Sequence, residues 1–190
     1  MYYDEIQQLI NRASLYMFVS TIATLIAVML VIMAANFLSN QLPPSIAVEY
    51  FQALSFPGLN VVTGLITLSS IMAVVGGFVI YIARSSLNRR EFMGLPSIIT
   101  TGLTLLLIAL LSSVGIYIVY QYYVGKVYSN ASAIMLGPLM MGTLSLFISI
   151  ALLLISLILT YLSLTIVRRL RRKYAPRRIR RRQPPPPPTQ

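Results

Sequence analysis

Four stretches of this chain run for more than twenty residues without one Asp, Glu, Lys or Arg: 13–37, 60–83, 97–124 and 134–167. A helix that crosses the hydrocarbon core of a bilayer needs about 20 predominantly apolar residues. In lipid every backbone N–H and C=O must find its partner inside the segment, which an α-helix achieves and an irregular strand does not. The four stretches therefore predict an all-α integral membrane bundle of four transmembrane helices. The prolines fall at segment ends or in the connections (Pro43, Pro44, Pro57, Pro96, Pro138, Pro176 and Pro184 to Pro188), so the spans are expected to be unbroken.

Composition agrees and removes whole classes of chemistry. Of 190 residues, 57% are hydrophobic and only 10% charged, against about 25% charged in soluble domains. There is no Cys and no His. That excludes thiolate and imidazole metal sites, His-ligated haem, cysteine-held iron–sulfur clusters and Ser-His or Cys-His nucleophile pairs. The four acids, Asp4, Glu5, Glu49 and Glu91, lie on three separate segments outside the apolar runs. Paired-carboxylate catalysis has little to work with. No catalytic residue, cofactor site or metal site is assigned, and the reading is non-enzymatic.

The formal net charge of +11 carries information about sidedness. Basic residues are retained on the cytoplasmic side. Arg12 precedes the first span, Arg84, Arg89 and Arg90 lie between the second and third, and ten basic residues follow the fourth, whereas the opposite side has only Lys126. Both termini are thus expected in the cytoplasm. Tyr16, Tyr81 and Tyr161 fall near this boundary, and Tyr117, Tyr120, Tyr122, Tyr123 and Tyr128 near the other, as interfacial belts would. The membrane itself is read as a cell membrane, or a host membrane for a viral protein.

The chain divides into three parts: an amphipathic lead-in (1–12), expected to lie on the cytoplasmic face, the transmembrane domain (13–167), and a basic, proline-rich tail (168–190). The first span, at 25 residues, exceeds the usual signal-peptide core of about 7 to 15 and is read as a retained anchor. The last span is expected to start near Pro138 and to continue as a basic arm to about Tyr174, with Pro176 ending it.

Lipid tails are as apolar as Leu, so membrane helices associate through small residues and interhelical hydrogen bonds. Gly142, Ser149, Ser156 and Ser163 recur at seven-residue intervals in the fourth span, Ser20, Ala27 and Ala34 in the first, and Ser69, Ala73 and Gly77 at four-residue steps in the second. These seams are read as helix-packing surfaces, with seven-residue repetition fitting left-handed packing at about +20°. The alternative is a small-solute channel or transporter lined by Ser20, Thr21, Thr24, Thr63, Thr67, Ser69, Ser70, Ser112, Ser113, Ser149 and Ser156. Against it, ion and proton paths usually employ intramembrane ionisable groups, and these spans have none.

The tail places Arg168, Arg169, Arg171, Arg172, Lys173, Arg177, Arg178, Arg180, Arg181 and Arg182 in one short segment, with no acid among them. It is read as a topology anchor and as a contact for anionic lipid headgroups, worth about 1 kcal/mol per basic residue near the surface, or for a cytoplasmic protein partner. Nucleic acid is the weaker reading, because Tyr174 alone could stack on bases. Pro184 to Pro188 are read as a stiff, extended, disordered spacer. Asn130-Ala131-Ser132 is a sequon in a loop expected outside, making Asn130 a candidate glycan acceptor. The small-residue seams are compatible with a homo-oligomer but do not specify one.

Claudins carry a Trp and Cys signature and tetraspanins a Cys-bearing loop, both absent here. In being rich in Ile and Tyr, free of Cys and closed by a basic proline-rich tail, the chain resembles small multi-pass membrane proteins of thermophilic archaea and their viruses. The resemblance is one of composition. The proposed role is that of an anchor, scaffold or accessory subunit.

Overall fold

The computed structural model describes residues 2–41, 55–56, 59–128 and 136–180, and side-chain surroundings within 4–35, 64–119, 121, 137 and 140–172. Four helices account for nearly all of it: α1 (Tyr2–Gln41), α2 (Val61–Asn88), α3 (Leu95–Tyr128) and α4 (Leu136–Arg180). A small ribbon precedes α2, in which β1 (Ser55–Phe56) pairs antiparallel with β2 (Leu59–Asn60). Each helix is long and apolar enough to cross a membrane. The chain is thus an all-helical bundle of four candidate spans. At 1.5 Å per residue, α1 extends about 60 Å and α4 about 68 Å, twice a hydrocarbon core of roughly 30 Å.

Each helix buries one residue every three, then four, positions. In α1 the buried series is Ile6, Ile10, Ala13, Met17, Ser20, Thr24, Ala27, Val31 and Ala34; in α4 it is Leu146, Ser149, Leu153, Ser156, Thr160, Ser163, Val167 and Leu170. α2 buries Ser69, Ala73, Gly76, Ile80, Ala83 and Leu87, and α3 Leu95, Ile99, Gly102, Leu106, Ala109, Ser113 and Ile116. A mean spacing of 3.5 residues is shorter than the 3.6 of a straight helix, and holding one seam inward at that spacing requires left-handed coiling. α1 packs most extensively on α4 and α2 on α3, while α1–α2 and α3–α4 contacts close the ring.

The outer surface is inverted relative to a soluble bundle. Leu15, Phe18, Ile22, Leu25, Met29 and Met33 of α1 are exposed, as are Ile71, Phe78 and Tyr81 of α2 and Met140, Phe147, Ile155 and Leu162 of α4. Along α1 this belt runs from Leu15 to Met33, about 27 Å of helix rise, and along α4 from Met140 to Leu162, about 33 Å. Those heights match a hydrocarbon thickness of roughly 30 Å. Apolar outside and hydroxyl-bearing inside is the arrangement a lipid solvent demands.

Two sequence expectations change here. Residues 2–12 do not form a separate surface helix: they are the opening turns of α1, with Ile6 and Ile10 buried in the same core as Met17. Their amphipathicity is the heptad seam carried to the start of α1. Second, α4 does not stop before Pro176 but continues to Arg180. Proline removes one backbone hydrogen bond and crowds the carbonyl four residues back, and the helical backbone runs through it all the same. The sequon Asn130, the segment 42–54, Arg181, Arg182 and the proline run lie outside the described residues.

The α2–α3 turn is built on a helix cap. Arg90 N–H donates to Leu87 O (3.0 Å) and Glu91 N–H to Ser86 O (3.0 Å), the paired bonds of a Schellman motif with Arg90 at its left-handed position. Arg90 indeed has φ 61°. Glycine normally occupies this site because a Cβ there costs about 1 kcal/mol or more.

Candidate functional site

Two features stand out once the helices are placed: a seam of hydroxyl groups between α1 and α4, and a concentration of basic side chains at one end of the bundle.

The seam follows from a single antiparallel register. Ser163 Oγ lies 3.4 Å from Ala13 O, Ser156 Oγ lies 3.1 Å from Ser20 O, and Ser149 Oγ donates to Ala27 O (3.0 Å). Each step is seven residues along both helices, in opposite directions. One step further brings buried Gly142 opposite buried Ala34; one step back brings Leu170 opposite Ile6. Small residues therefore face small residues along most of the pair, and the backbones come close enough for a serine of one helix to reach a carbonyl of the other.

At the centre, Ser20 and Thr24 of α1 meet Ser156 and Thr160 of α4, all fully buried. The Ser20 and Ser156 hydroxyls pair at 2.6 Å, Ser20 with Thr160 at 2.8 Å and Thr24 with Ser156 at 2.7 Å. The threonines also reach carbonyls one turn back, Thr24 to Ser20 O and Thr160 to Ser156 O, both at 2.8 Å. Four protons thus serve a directed chain: Thr160 to Ser20 to Ser156 to Thr24 to the Ser20 carbonyl, or its mirror image ending on the Ser156 carbonyl. In either direction each hydroxyl donates once within the cluster. No proton is left over for a passing solute.

The remaining hydroxyls fall into two groups. Ser69 Oγ pairs with Ser113 Oγ at 2.7 Å and donates to Ala109 O (3.2 Å), tying α2 to α3. Thr21, Ser112 and Ser145 instead donate to carbonyls of their own helices. Among the described residues, Ser70 Oγ alone is a buried side-chain polar atom without a partner. The eleven candidate path residues are not gathered by one set of hydrogen bonds: Thr67 is exposed, Thr63 lies outside the described side chains, Ser20, Thr24, Ser149 and Ser156 bond across α1–α4, and Ser69 and Ser113 bond across α2–α3.

Ser69, Ala73 and Gly77, spaced by four residues, do not share one seam. Ser69 and Ala73 belong to the α2–α3 seam, whereas a Cβ on Gly77 would touch Thr24 of α1 at an ordinary 3.5 Å. The tight glycines are Gly76 and Gly102. A Cβ on Gly76 would meet Leu105 Cβ at 3.2 Å, and one on Gly102 would meet Ile80 Cγ1 at 2.9 Å. The α3 side of this seam, Gly102 and Ala109, was missed; its signal was again a seven-residue step.

The antiparallel registers bring the start of α1, the α2–α3 turn and the final turns of α4 to the same end. Arg12, Arg89, Arg90, Arg168, Arg169, Arg171 and Arg172 are exposed there, together with Asp4, Glu5 and Glu91. Leu170, fully buried, sits in the middle of the Arg168–Arg172 cluster and fixes the first turn of the basic arm against the core. For Lys173, Arg177, Arg178 and Arg180 the helical backbone is described, but not the side chains. On the α1–α2 side, Arg84 Nε donates to Ser14 Oγ (3.1 Å) with its guanidinium carbon 4.4 Å from the Phe18 ring centre. Arg90 Nη2 donates to Gln7 Oε1 at 3.4 Å. No group of three or more carboxylates able to hold a metal ion occurs among the described residues. No known protein family matches the chain, and neither curated proteins nor solved structures are significantly similar to it.

Proposed function

We propose that this chain is a non-enzymatic multi-pass scaffold, anchor or accessory subunit whose basic end faces the cytoplasm and contacts anionic surfaces, lipid headgroups first and a cytoplasmic protein partner second. The observation that carries the reading is the docking of the basic arm: buried Leu170 fixes the helix while Arg168, Arg169, Arg171 and Arg172 all point to solvent. Long-range attraction between such an array and an anionic leaflet is worth about 1 kcal/mol per residue. The consumed hydroxyls of the α1–α4 seam support a structural interior over a conducting one.

The test replaces Arg168, Arg169, Arg171 and Arg172 with Gln in the full chain, leaving Lys173 and the distal arginines to preserve topology. Purification in mild detergent is expected to recover less co-purifying anionic lipid or protein than the parent; equal recovery overturns the contact role. Reconstituted parent protein is expected to pass no more ion or polar solute than empty liposomes. Flux abolished by Ser149→Leu or Ser156→Leu would establish a channel instead.

A further inference from the structure

We propose that the groove between α1 and α2 at the basic end binds the phosphate of one anionic phospholipid, with Arg84 as its principal ligand. The groove is separate from the basic arm, and the inference rests on the membrane-spanning reading but not on any role for α4.

Arg84 is the basic side chain closest to the lipid belt. Exposed Tyr81 and Ile82 precede it by less than one turn, and the exposed positions after it, Ser85, Asn88 and Arg89, are polar. A guanidinium at that height lies where phosphates of a bilayer begin. Its orientation is fixed twice, by the Nε–Ser14 hydrogen bond and by the Phe18 ring beneath it. Cation–π contact and an anchored Nε reduce the freedom a long side chain otherwise loses on binding. The terminal Nη groups remain as a planar fork, the geometry that recognises phosphate in a bidentate manner.

The neighbouring polar atoms are donors as well. Ser14 accepts from Arg84, so its own proton is available. Asn11 lies three residues before Ser14 on the same face of α1, and its Oδ1 accepts from Gln7 Nε2 (3.3 Å), which leaves its amide N–H groups as donors. On the apolar-belt side of Arg84, Phe18 of α1 and Phe78 of α2 are exposed, where acyl chains would lie. A lipid meets both halves of this surface; a free anion meets only the upper half.

The test is native mass spectrometry of the delipidated full chain in detergent, titrated with phosphatidylglycerol or phosphatidylcholine, using the Arg168/Arg169/Arg171/Arg172→Gln background to remove binding by the arm. One phosphatidylglycerol is expected to bind about fivefold more tightly than phosphatidylcholine, with Arg84→Gln erasing that preference. Arg84→Lys is expected to retain part of it, because charge survives and the fork does not. Ser14→Ala keeps Arg84 and its charge but frees Nε, so it tests the site without removing the cation; about a twofold loss is expected. Equal binding of the two lipids, or a preference unchanged in both Arg84→Gln and Ser14→Ala, overturns the proposal. Displacement by glycerol phosphate at concentrations equal to the lipid also overturns it, since the free anion would then suffice. Loss of lipid selectivity only in the four-Gln background would assign the binding to the arm and leave the groove without a ligand.

Discussion

The two principal interfaces of the bundle share a seven-residue repeat and use it in opposite ways. Between α1 and α4 the small positions face each other, Ala13 with Ser163, Ser20 with Ser156 and Ala27 with Ser149, and serine hydroxyls bridge to the backbone opposite. Between α2 and α3 small faces large: Gly76 receives Leu106, and Gly102 receives Ile80. Ser69 with Ser113 is the interhelical hydroxyl pair on that side. The first interface carries a cluster of interhelical hydroxyl bonds at its centre, whereas the second, which has the Ser69 bonds to Ser113 and Ala109 O and a close approach of Gly102 to the Gly76 carbonyl, is distinguished by large side chains filling the gaps at its glycines. Both satisfy the same requirement, because between helices in lipid only packing and polar contacts distinguish one neighbour from another.

The largest test of this contrast is Gly102→Leu. With Ile80 Cγ1 already 2.9 Å from where a Cβ would sit, the substitution is expected to destabilise the bundle by about 3 kcal/mol through overpacking. Gly64→Leu, where a Cβ would meet nothing within 4 Å, is the control and should not destabilise, gaining up to about 1 kcal/mol from helix propensity. Unfolding in mixed detergent micelles measures both. Equal effects would mean that α2 and α3 do not interlock as described.

Ser156→Ala probes the other side. It removes the hydroxyl shared by Ser20 and Thr24 and is expected to cost about 1 kcal/mol, within the range of interhelical hydrogen bonds in membranes. A double-mutant cycle with Ser20→Ala should return a coupling of about 0.6 kcal/mol or more. A coupling near zero would reduce the α1–α4 seam to packing alone and erase the difference between the two interfaces.

Arg90→Gly addresses how each pair is joined. α2 and α3 are consecutive, and their turn holds Arg90 at φ 61°; glycine there is expected to raise thermal stability by about 1 kcal/mol. α1 and α4 are brought together only by the fold, so the Ser20–Ser156 coupling should not move. The smallest expected effect is that of Ser69→Ala, about 0.6 kcal/mol, for loss of the Ser113 pair. If it exceeded Ser156→Ala in the same unfolding assay, the assignment of hydrogen bonding to α1–α4 and shape to α2–α3 would be reversed.

How much of this could be read beforehand varies by element. The four spans were legible because hydrocarbon tolerates no charge and sets a minimum length, so composition and run length suffice. The seven-residue series of Gly142, Ser149, Ser156 and Ser163 was visible for a similar reason: small residues interrupt Leu and Ile at a fixed period. Gly77 was misplaced on its seam because Gly76 and Gly77 are adjacent, and sequence spacing cannot say which of two neighbouring residues points to α3 and which to α1. Gly102 was missed because its partner is Ile80, and a gap filled by a large residue shows no matching small one. The opening turns of α1 looked interfacial because a heptad seam with polar flanks has the same periodicity as a membrane-surface helix.

The sequence by itself determined that the chain is helical, how many apolar spans it has and that its basic residues cluster, since these depend on local transfer free energy and on which residues carry charge. The tertiary structure alone decided which seam meets which. Register is a property of two helices at once: the Ser20–Ser156 cluster exists because α1 and α4 run antiparallel with their small positions opposed. The same pairing set Leu170 against Ile6 and so turned four arginines outward. Likewise, the approach of α1 to α2 gave Arg84 a hydroxyl and a ring to rest on, a pairing between residues seventy positions apart that no local pattern encodes.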